Sequence, residues 1–318
     1  MTTPLIARLA EAGAVDVVCT PAAAPLLANN PSIREVILYD KRGRDRGARG
    51  FVRLASVLRR NGYASAYFAQ GSVRSGMLGL AAAIPDRVGF QTSAGRAFYT
   101  TRIPSTPGAH HAARLLSLAT RDPAHQPAIS APRPRLYPGA RERVDVDEVL
   151  GTAAYNQRLI VLAPGSVWAT KRWPYYAALA RELGVGARIV VVGSADDREL
   201  ATEIVGATSG QAIDATGRLS LLASAELIGR AALVVTNDSA PLHLASAMNT
   251  PTVAVFGPTV PEFGFGPLAE RAVVAGHERL DCRPCDKHGP RVCPLGHWRC
   301  MREITPDAVA ALARRIAP

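Results

Sequence analysis

The stretch Leu233-Val-Val-Thr-Asn-Asp-Ser-Ala-Pro-Leu-His243 joins a short apolar run to a segment that can begin a helix. Apolar runs of this length and Val content are typical of buried strands, and Pro241 suits the first turn of a helix. Asp238 or Ser239 can cap that helix. The junction therefore predicts a strand that runs directly into a helix. The free N–H groups at the start of such a helix form an anion site. His243 lies one turn inside it, either as a ligand or as a packing residue.

The alternation of strand and helix extends through the whole second half of the chain. It predicts a parallel sheet covered by helices on both faces, with ligands bound beyond the carboxyl ends of the strands. The predicted strands are Leu159–Ala163, Arg188–Gly193, Ala212–Ala215, Leu233–Thr236, Thr252–Phe256 and Ala272–Ala275. The predicted helices are Pro174–Leu183, Asp196–Val205, Ser220–Arg230 and Pro241–Met248.

The first half shows the same alternation, although it begins with a helical segment where a doubly wound domain normally begins with a buried strand. Its predicted strands are Val15–Thr20, Glu35–Tyr39, Ala64–Ala69 and Arg87–Phe90. Its predicted helices are Pro4–Ala12, Phe51–Asn61, Ser72–Ala83 and His110–Ala119. A Pro- and Arg-rich region from Thr120 to Gly151, with a helical pattern only at Arg141–Leu150, separates the halves. We therefore predict an α/β protein of two doubly wound domains facing a cleft, residues 1–152 and 153–318.

Composition narrows the class of protein. Of 318 residues, 48% are apolar and 20% are charged, which is typical of a protein with large cores. No apolar run approaches the roughly 18 residues of a membrane span and no signal peptide is recognisable, so a cytoplasmic location is expected. The excess of 37 Lys and Arg over 26 Asp and Glu favours anionic partners. Dispersed basic residues and only 6% aromatics disfavour nucleic acid. The basic run at Lys41–Arg46 is most simply a solvated loop.

Two further strand ends carry residues suited to phosphate. After Leu159–Ala163 the chain continues through Ser166 to Lys171 and Arg172, and a lysine at such a position can meet a phosphate as a point charge. An exposed basic loop, with Trp173 packed at the entrance of the next helix, is the alternative. The strand Val253–Phe256 ends in Gly257-Pro258-Thr259, a turn small enough for close backbone approach. Three strand-end loops are thus expected on one rim of one sheet.

Asp196 and Asp197 follow the strand that ends at Gly193. An acidic residue there can bind ribose hydroxyls, but both residues also suit the first turn of a helix. The sequence contains no GxGxxG, Walker or HExxH motif. Their absence disfavours a common dinucleotide-binding enzyme, a kinase and a zinc protease.

Four of the five cysteines lie within nineteen residues, at Cys282, Cys285, Cys293 and Cys300, with His288 and His297 nearby. Two disulfides are unexpected in a reducing compartment. Four thiolates can hold a structural Zn²⁺, although the spacing is not that of a common zinc ribbon. Free or transiently oxidised thiols are the alternative.

Four segments together resemble the bacterial ADP-heptose:lipopolysaccharide heptosyltransferases, especially the heptosyltransferase II-like branch. They are APGSVWATKRWP (163–174), VTNDSAPLHLASA (235–247), VAVFGPT (253–259) and CPLGHWRCM (293–301). Asn29–Pro31, Gly71–Ser75 and Arg87–Phe90 also fit that family's first domain. The resemblance covers nearly the whole chain.

The resemblance implies the GT-B fold, two Rossmann-like domains with the donor bound in the C-terminal one and the acceptor mostly in the N-terminal one. It implies catalytic roles for Lys171 and Asp238. The donor-binding residues that it implies are Ser166 and Lys171 for the diphosphate, Asp197 for the ribose, Leu219 for the adenine, and Asp238, Ser239, Ala240 and His243 for phosphate and sugar. Ala240 stands where the family usually has Gly. Alanine is compatible with this position only if its φ is negative.

Family members open with a strand and a Gly-Asp turn whose Asp is thought to be the general base. This chain begins just after that turn, at a segment matching Thr2–Leu5, so the base is expected upstream of Met1.

The resemblance implies an inverting, metal-independent transfer of heptose from ADP-heptose to a lipopolysaccharide inner-core acceptor, with no cofactor. The expected partners are an ADP-sugar, a phosphorylated lipid or oligosaccharide acceptor and the inner face of the inner membrane. Two alternatives stay open: a GT-B glycosyltransferase for another nucleotide sugar, and a non-catalytic nucleotide-sugar binding protein. A dehydrogenase is disfavoured by the absent glycine fingerprint.

Overall fold

The computed structural model describes residues 1–120, 131–151 and 157–317. It divides into two compact units, Met1–Pro132 and Arg133–Pro318. The predicted boundary at 152/153 falls outside the described residues, as do residues 121–130 of the Pro- and Arg-rich region. The helix Ala140–Leu150 packs within the second unit, where Arg230 Nη1 donates to Asp147 Oδ1 at 2.5 Å. The predicted boundary stays a prediction.

Short parallel strands build the first unit. In chain order they are β1 (Asp16–Cys19), β2 (Glu35–Leu38), β3 (Ser65–Tyr67), β4 (Asp86–Phe90) and β5 (Thr101–Ile103). They form two sheets, β1-β2 and β3-β4-β5, and every pairing is parallel. The four predicted strands are present. We did not predict β5, because three residues are too few to show a period.

The helices of the first unit follow the predicted positions. They are α1 (Thr3–Ala10), α2 (Gly47–Arg60), α3 (Val73–Ala81) and α4 (His111–Leu116). The side chain of Ser72 accepts a hydrogen bond from the Ser75 N–H and so caps α3. Helix α2 begins four residues before the predicted start at Phe51, because Gly47-Ala-Arg-Gly50 also adopts helical geometry.

One continuous parallel sheet forms the second unit. Its strands are β6 (Leu159–Ala163), β7 (Arg188–Val191), β8 (Ile213–Asp214), β9 (Leu233–Asn237), β10 (Thr252–Phe256) and β11 (Ala272–Gly276). Their order in the sheet is β11-β10-β9-β6-β7-β8. The chain therefore proceeds outward from β6 to β8, then returns to the other side of β6 and proceeds outward again. This is the doubly wound topology that the sequence predicts, with its switch point between β6 and β9.

Helices cover this sheet, and its core is fully buried. They are α5 (Ala140–Leu150), α6 (Tyr176–Leu183), α7 (Arg198–Ala207), α8 (Leu221–Arg230), α9 (Ala240–Met248), α10 (Arg299–Arg302) and α11 (Pro306–Ile316). We did not predict α10 or α11, although Thr305 caps α11 by accepting a hydrogen bond from the Ala308 N–H. Leu162, Leu179 and Val253 lie in one core cluster at 0% exposure. Within the described ranges, no helix has both the length and the apolar character needed to cross a membrane.

Candidate active site

Asn237 joins the two strands at the switch point. It is the last residue of β9 and is 0% exposed. Its Nδ2 donates to Pro164 O at 2.8 Å, just beyond β6, and its Oδ1 accepts from Trp173 N and the Tyr176 hydroxyl, each at 3.2 Å. A buried amide with these partners fixes the loop after β6 to the end of β9. We did not predict Asn237 as a site residue; the available signal was a polar side chain at the end of a Val-rich strand.

Three strand-end loops meet at the carboxylate of Asp238. Lys171 Nζ lies 2.6 Å from Asp238 Oδ2, and the two side chains are 9% and 12% exposed. Thr259 Oγ1 donates to the same oxygen at 2.7 Å. The loops after β6, β9 and β10 therefore lie on one rim of the sheet, as the three sequence motifs predicted, and they also converge at one point. Lys171 is buried and does not belong to an exposed basic loop. Thr259 was not among the predicted site residues, although it ends the third motif.

The start of α9 lies directly after this carboxylate. Ser239 is the N-cap residue, with φ −152° and ψ −179°, and its side chain does not cap the helix. Its hydroxyl instead donates to Asn237 O at 3.4 Å. Ala240 is the first helical residue, where φ is negative, so it meets the condition for replacing the usual glycine. The N–H groups of the first turn therefore receive no side-chain cap from Ser239.

The loop after β6 is held by local hydrogen bonds. Ser166 Oγ accepts from Trp168 N at 3.3 Å, and Arg172 Nε donates to Ser166 O at 2.9 Å. Trp173 is 2% exposed and donates through Nε1 to Ile304 O at 2.8 Å, so it packs at the entrance of α6, which is the part of the alternative interpretation that the structure bears out. The loop thus places Ser166 and Lys171 on the same rim as Asp238.

Asp197 closes the turn after β7. It is 8% exposed, and its Oδ2 accepts from Ser194 N at 2.8 Å and from Ser194 Oγ at 2.9 Å. A Cβ added to Gly165 would lie 2.3 Å from Asp197 Oδ1, so the carboxylate fills the space beside the loop after β6. These contacts are typical of an acidic residue at the start of a helix. This is the alternative to a ribose contact that the sequence left open.

His243 and Leu219 are the two remaining residues that were predicted to bind the donor. His243 lies in α9 with its ring centroid 6.2 Å from that of Phe265. Leu219 is half-buried in the loop between β8 and α8. That loop adjoins the turn after β7, because Gly217 N donates to Gly193 O at 3.0 Å.

The cysteine-rich segment after β11 packs against the Lys171 loop and the loop after β10. The Thr170 hydroxyl donates to Pro290 O, and Cys285 N donates to Pro258 O at 2.9 Å. Gly289 has φ +82°, and a Cβ at this position would lie 3.2 Å from Lys171 Cε. The segment therefore confines the aliphatic part of Lys171, a role that the spacing of the cysteines did not predict.

The four cysteines of this segment are free thiols. Three of them, Cys285, Cys293 and Cys300, line one small cavity. Burial raises the pKa of Cys300 to about 11. Burial also opposes ionisation of Cys293, but the backbone N–H groups of residues 295–298 outweigh it and lower the pKa of that thiol.

No group of three or more His, Cys, Asp or Glu side chains in the described part of the chain has the arrangement of a metal site. Cys282 Sγ lies 3.9 Å from His297 Nε2. The zinc interpretation of Cys282, Cys285, Cys293 and Cys300 stays a prediction.

A doubly wound sheet with a buried Lys171–Asp238 pair at its switch point agrees with the resemblance drawn from the sequence. The profile of glycosyltransferase family 9 (heptosyltransferase) matches residues 51–297. The chain belongs to glycosyltransferase family 9. The resemblance and the prediction of a glycosyltransferase are therefore confirmed.

Curated proteins of known name are similar over most of the chain. Lipopolysaccharide heptosyltransferase 2 of Escherichia coli (strain K12) is 31% identical over 93% of this chain and 87% of its own length. The protein of the same name from Salmonella typhimurium is 29% identical with the same coverage.

Solved structures agree on the fold. E. coli ADP-heptose lps heptosyltransferase II matches with a TM-score of 0.80 at 25% identity, covering 99% of this chain and 94% of the other. The family 9 glycosyltransferase of Veillonella parvula matches with a TM-score of 0.85 at 24% identity, covering 99% and 92%. An E. coli heptosyltransferase solved with ADP-2-deoxy-2-fluoro heptose matches with a TM-score of 0.68 at 19% identity, covering 99% and 94%. The GT-B type of fold predicted from the sequence is confirmed.

Proposed function

We propose that this chain transfers heptose from ADP-heptose to a lipopolysaccharide inner-core acceptor, with inversion at the anomeric carbon and without a metal ion. The observation that carries the proposal is the convergence of Lys171 and Thr259 on Asp238 at the switch point of the second sheet. Doubly wound sheets bind their ligands at this point. The names of the similar heptosyltransferases support heptose as the transferred sugar and lipopolysaccharide as the product.

The donor diphosphate would lie between Lys171 and the first turn of α9. The N–H groups of that turn and the positive end of the helix dipole favour an anion. A lysine ammonium has three donors, and one bond to Asp238 leaves donors for phosphate oxygens. Asp238 and Thr259 would hold the ammonium in position. Ser166 and Ser239 would contact the phosphates from the two sides.

In the proposed reaction, an acceptor hydroxyl oxygen attacks the anomeric carbon on the face opposite the diphosphate. The bond between that carbon and the β-phosphate oxygen breaks, and its electron pair leaves with ADP. Lys171 and the N–H groups at Ser239-Ala240 would stabilise the negative charge that develops on this oxygen, which is the role of preorganised donors in such sites. The hydroxyl proton passes to a carboxylate base.

The nucleoside would extend along the same rim of the sheet. Asp197 would contact the ribose, Leu219 the adenine, and His243 the sugar or its phosphate. Asp197 Oδ2 already accepts two hydrogen bonds from Ser194 and Oδ1 lies against Gly165, so the ribose contact would require the turn after β7 to shift.

No cofactor takes part in the proposed reaction. Elemental analysis of the protein purified without added metal tests the separate zinc prediction. About one equivalent of zinc per chain, lost on alkylation of the thiols, would support it. Metal-free protein in which Cys282, Cys285 and Cys293 all alkylate readily would contradict it.

Calorimetric titration with ADP and ADP-heptose tests the proposed site directly. The informative variant is the double substitution Lys171→Met with Asp238→Asn, which removes both charges together and leaves no unpaired buried ion. We expect it to fold normally and to bind ADP at least tenfold more weakly. Lys287→Met is the matched control, because Lys287 is exposed on the cysteine-rich segment. ADP binding unchanged in the double variant would remove the pair from the site.

A donor screen separates the proposal from its alternatives. Release of ADP, with a gain of one heptose mass on the acceptor, is the expected result by mass spectrometry. Turnover with a different nucleotide sugar would assign another glycosyltransferase specificity. ADP binding without turnover of any donor would indicate a binding protein.

A further inference from the structure

Helix α2 presents a strongly basic face to solvent. Arg49, Arg53, Arg59 and Arg60 are all exposed, and their spacing places them on one side of the helix. This face spans twelve residues, and the eleven steps between the first and the last rise about 16 Å along the helix. Val52 lies among these arginines with 59% of its surface exposed.

Basic residues occur along the whole chain, but their excess over acidic residues is concentrated in this region. Residues 41–60 contain eight basic residues and one acidic residue, a net charge of +7, and the whole chain carries +11. The acidic residue, Asp45, is 1% exposed and pairs with Arg53 and Arg44. Within the described part of the chain, no carboxylate pairs with Arg49, Arg59 or Arg60.

The opposite face of α2 is fixed on the first unit. Leu54, Ala55 and Leu58 are 5–7% exposed and pack in a core cluster with Ile37. The start of the helix is also held, because Arg74 Nη2 donates to Gly47 O at 3.0 Å. The basic face therefore has a defined orientation on a rigid element.

We propose that the Arg49–Arg60 face of α2 docks this protein on a bilayer that contains anionic phospholipid. Clusters of four to eight basic residues on an amphipathic helix attract such surfaces, and the attraction falls off within a Debye length. The exposed Val52 can enter the boundary between headgroups and acyl chains. This surface is separate from the proposed donor site and does not depend on the proposed reaction.

The composition of the face favours phospholipid over nucleic acid. Proteins that bind single strands stack bases on aromatic side chains, and none of the exposed residues of α2 is aromatic. The alternative ligand of the same chemistry is the phosphate of a lipopolysaccharide acceptor, and the experiment separates these two sources.

Cosedimentation of the whole chain with vesicles tests the proposal. Phosphatidylcholine vesicles with and without phosphatidylglycerol are compared at low and high salt. We expect binding only with phosphatidylglycerol, weakened by salt. The triple variant Arg49→Gln, Arg59→Gln and Arg60→Gln is expected to bind on the order of a hundredfold more weakly, since each arginine at an anionic bilayer contributes about a factor of five. Arg53 is retained because it pairs with the buried Asp45.

The matched control is the triple variant Arg181→Gln, Arg271→Gln and Arg315→Gln, which removes the same charge from exposed positions of the second unit. It is expected to bind vesicles within about threefold of the unmodified chain. An equal loss in both triple variants would overturn the proposal in favour of net charge alone. Binding only to phosphatidylcholine vesicles that contain a lipopolysaccharide precursor would overturn it in favour of the acceptor. ADP titration of the same preparations reports on the donor site separately.

Discussion

The two units of this chain build parallel sheets in different ways. In the second unit, β6, β9 and β10 are buried along their whole length within one continuous sheet. In the first unit, the short strands belong to two sheets, and neither β1 nor β3 contains a buried residue. Parallel strands are normally covered on both faces. The central strands of the second unit are covered in this way, whereas β1 and β3 of the first unit are not.

The difference shows where a precise site can be built. A buried, continuous sheet holds Asn237, Lys171 and Asp238 within hydrogen-bond distance of fixed partners. In the first unit, polar side-chain contacts also hold neighbouring segments together. Asp16 at the start of β1 accepts hydrogen bonds from Arg34 and from the hydroxyl of Tyr63, two residues before β3. We therefore expect the second unit to be the more resistant of the two to local unfolding.

The largest expected effect sharpens this contrast in stability. Phe256 in β10 is 0% exposed, and Phe256→Ala should lower the free energy of unfolding of the second unit by about 3–5 kcal/mol because it leaves a cavity. Val18→Ala in β1 should cost under about 1 kcal/mol, since Val18 is 39% exposed. All 3 tryptophans lie in the second unit, so their fluorescence in denaturant reports the unfolding of that unit alone. Hydrogen exchange of the β1 amides reports the stability of the first unit. Similar losses at both positions would remove the contrast.

A smaller effect tests whether the second unit positions Lys171 through its cysteine-rich segment. Gly289 and Gly296 both have positive φ, +82° and +69°, so alanine should cost each about 1–2 kcal/mol. Only at Gly289 would the added Cβ approach Lys171, since nothing lies within 4 Å of a Cβ at Gly296. We expect Gly289→Ala to weaken ADP binding about threefold to tenfold and Gly296→Ala to leave it unchanged. Equal calorimetric affinities for the two variants would contradict a positioning role.

The smallest effect concerns the polar contacts of the first unit. The hydrogen bond from Arg34 is the main cause that lowers the pKa of Asp16, against the opposing effect of burial. Because the folded pKa lies below the unfolded value of about 3.9, this stabilisation is complete above that pH and is lost as the pH falls through the folded pKa.

Exchange of the β1 amides, corrected for intrinsic rates, should accelerate a few-fold between about pH 5 and about pH 3. Asp16→Asn should lose most of this dependence. Persistence of the full pH effect in the variant would assign it to other carboxylates.

The same contrast explains what the sequence could predict. The buried runs at Leu159–Ala163 and Leu233–Thr236 predicted their strands closely, because continuous apolar stretches between turn residues are strong local signals. The strand β5 in the first unit was missed because it spans three residues. Among site residues, the placement of Lys171 and Asp238 on one rim of the sheet followed from their positions after predicted strands. The contacts of Thr259, Asn237 and Gly289 did not, because they depend on how loops distant in sequence pack together.

Hydrogen exchange with and without ADP tests the central claim, that the switch point of the second sheet receives the diphosphate. We predict slower exchange at Ala240, Leu242 and His243 in the first turn of α9 and along residues 165–172, with no such change in the double variant Lys171→Met and Asp238→Asn. The claim would be contradicted if ADP slowed amide exchange only in the first unit, or if saturating ADP left the exchange of the α9 amides unchanged.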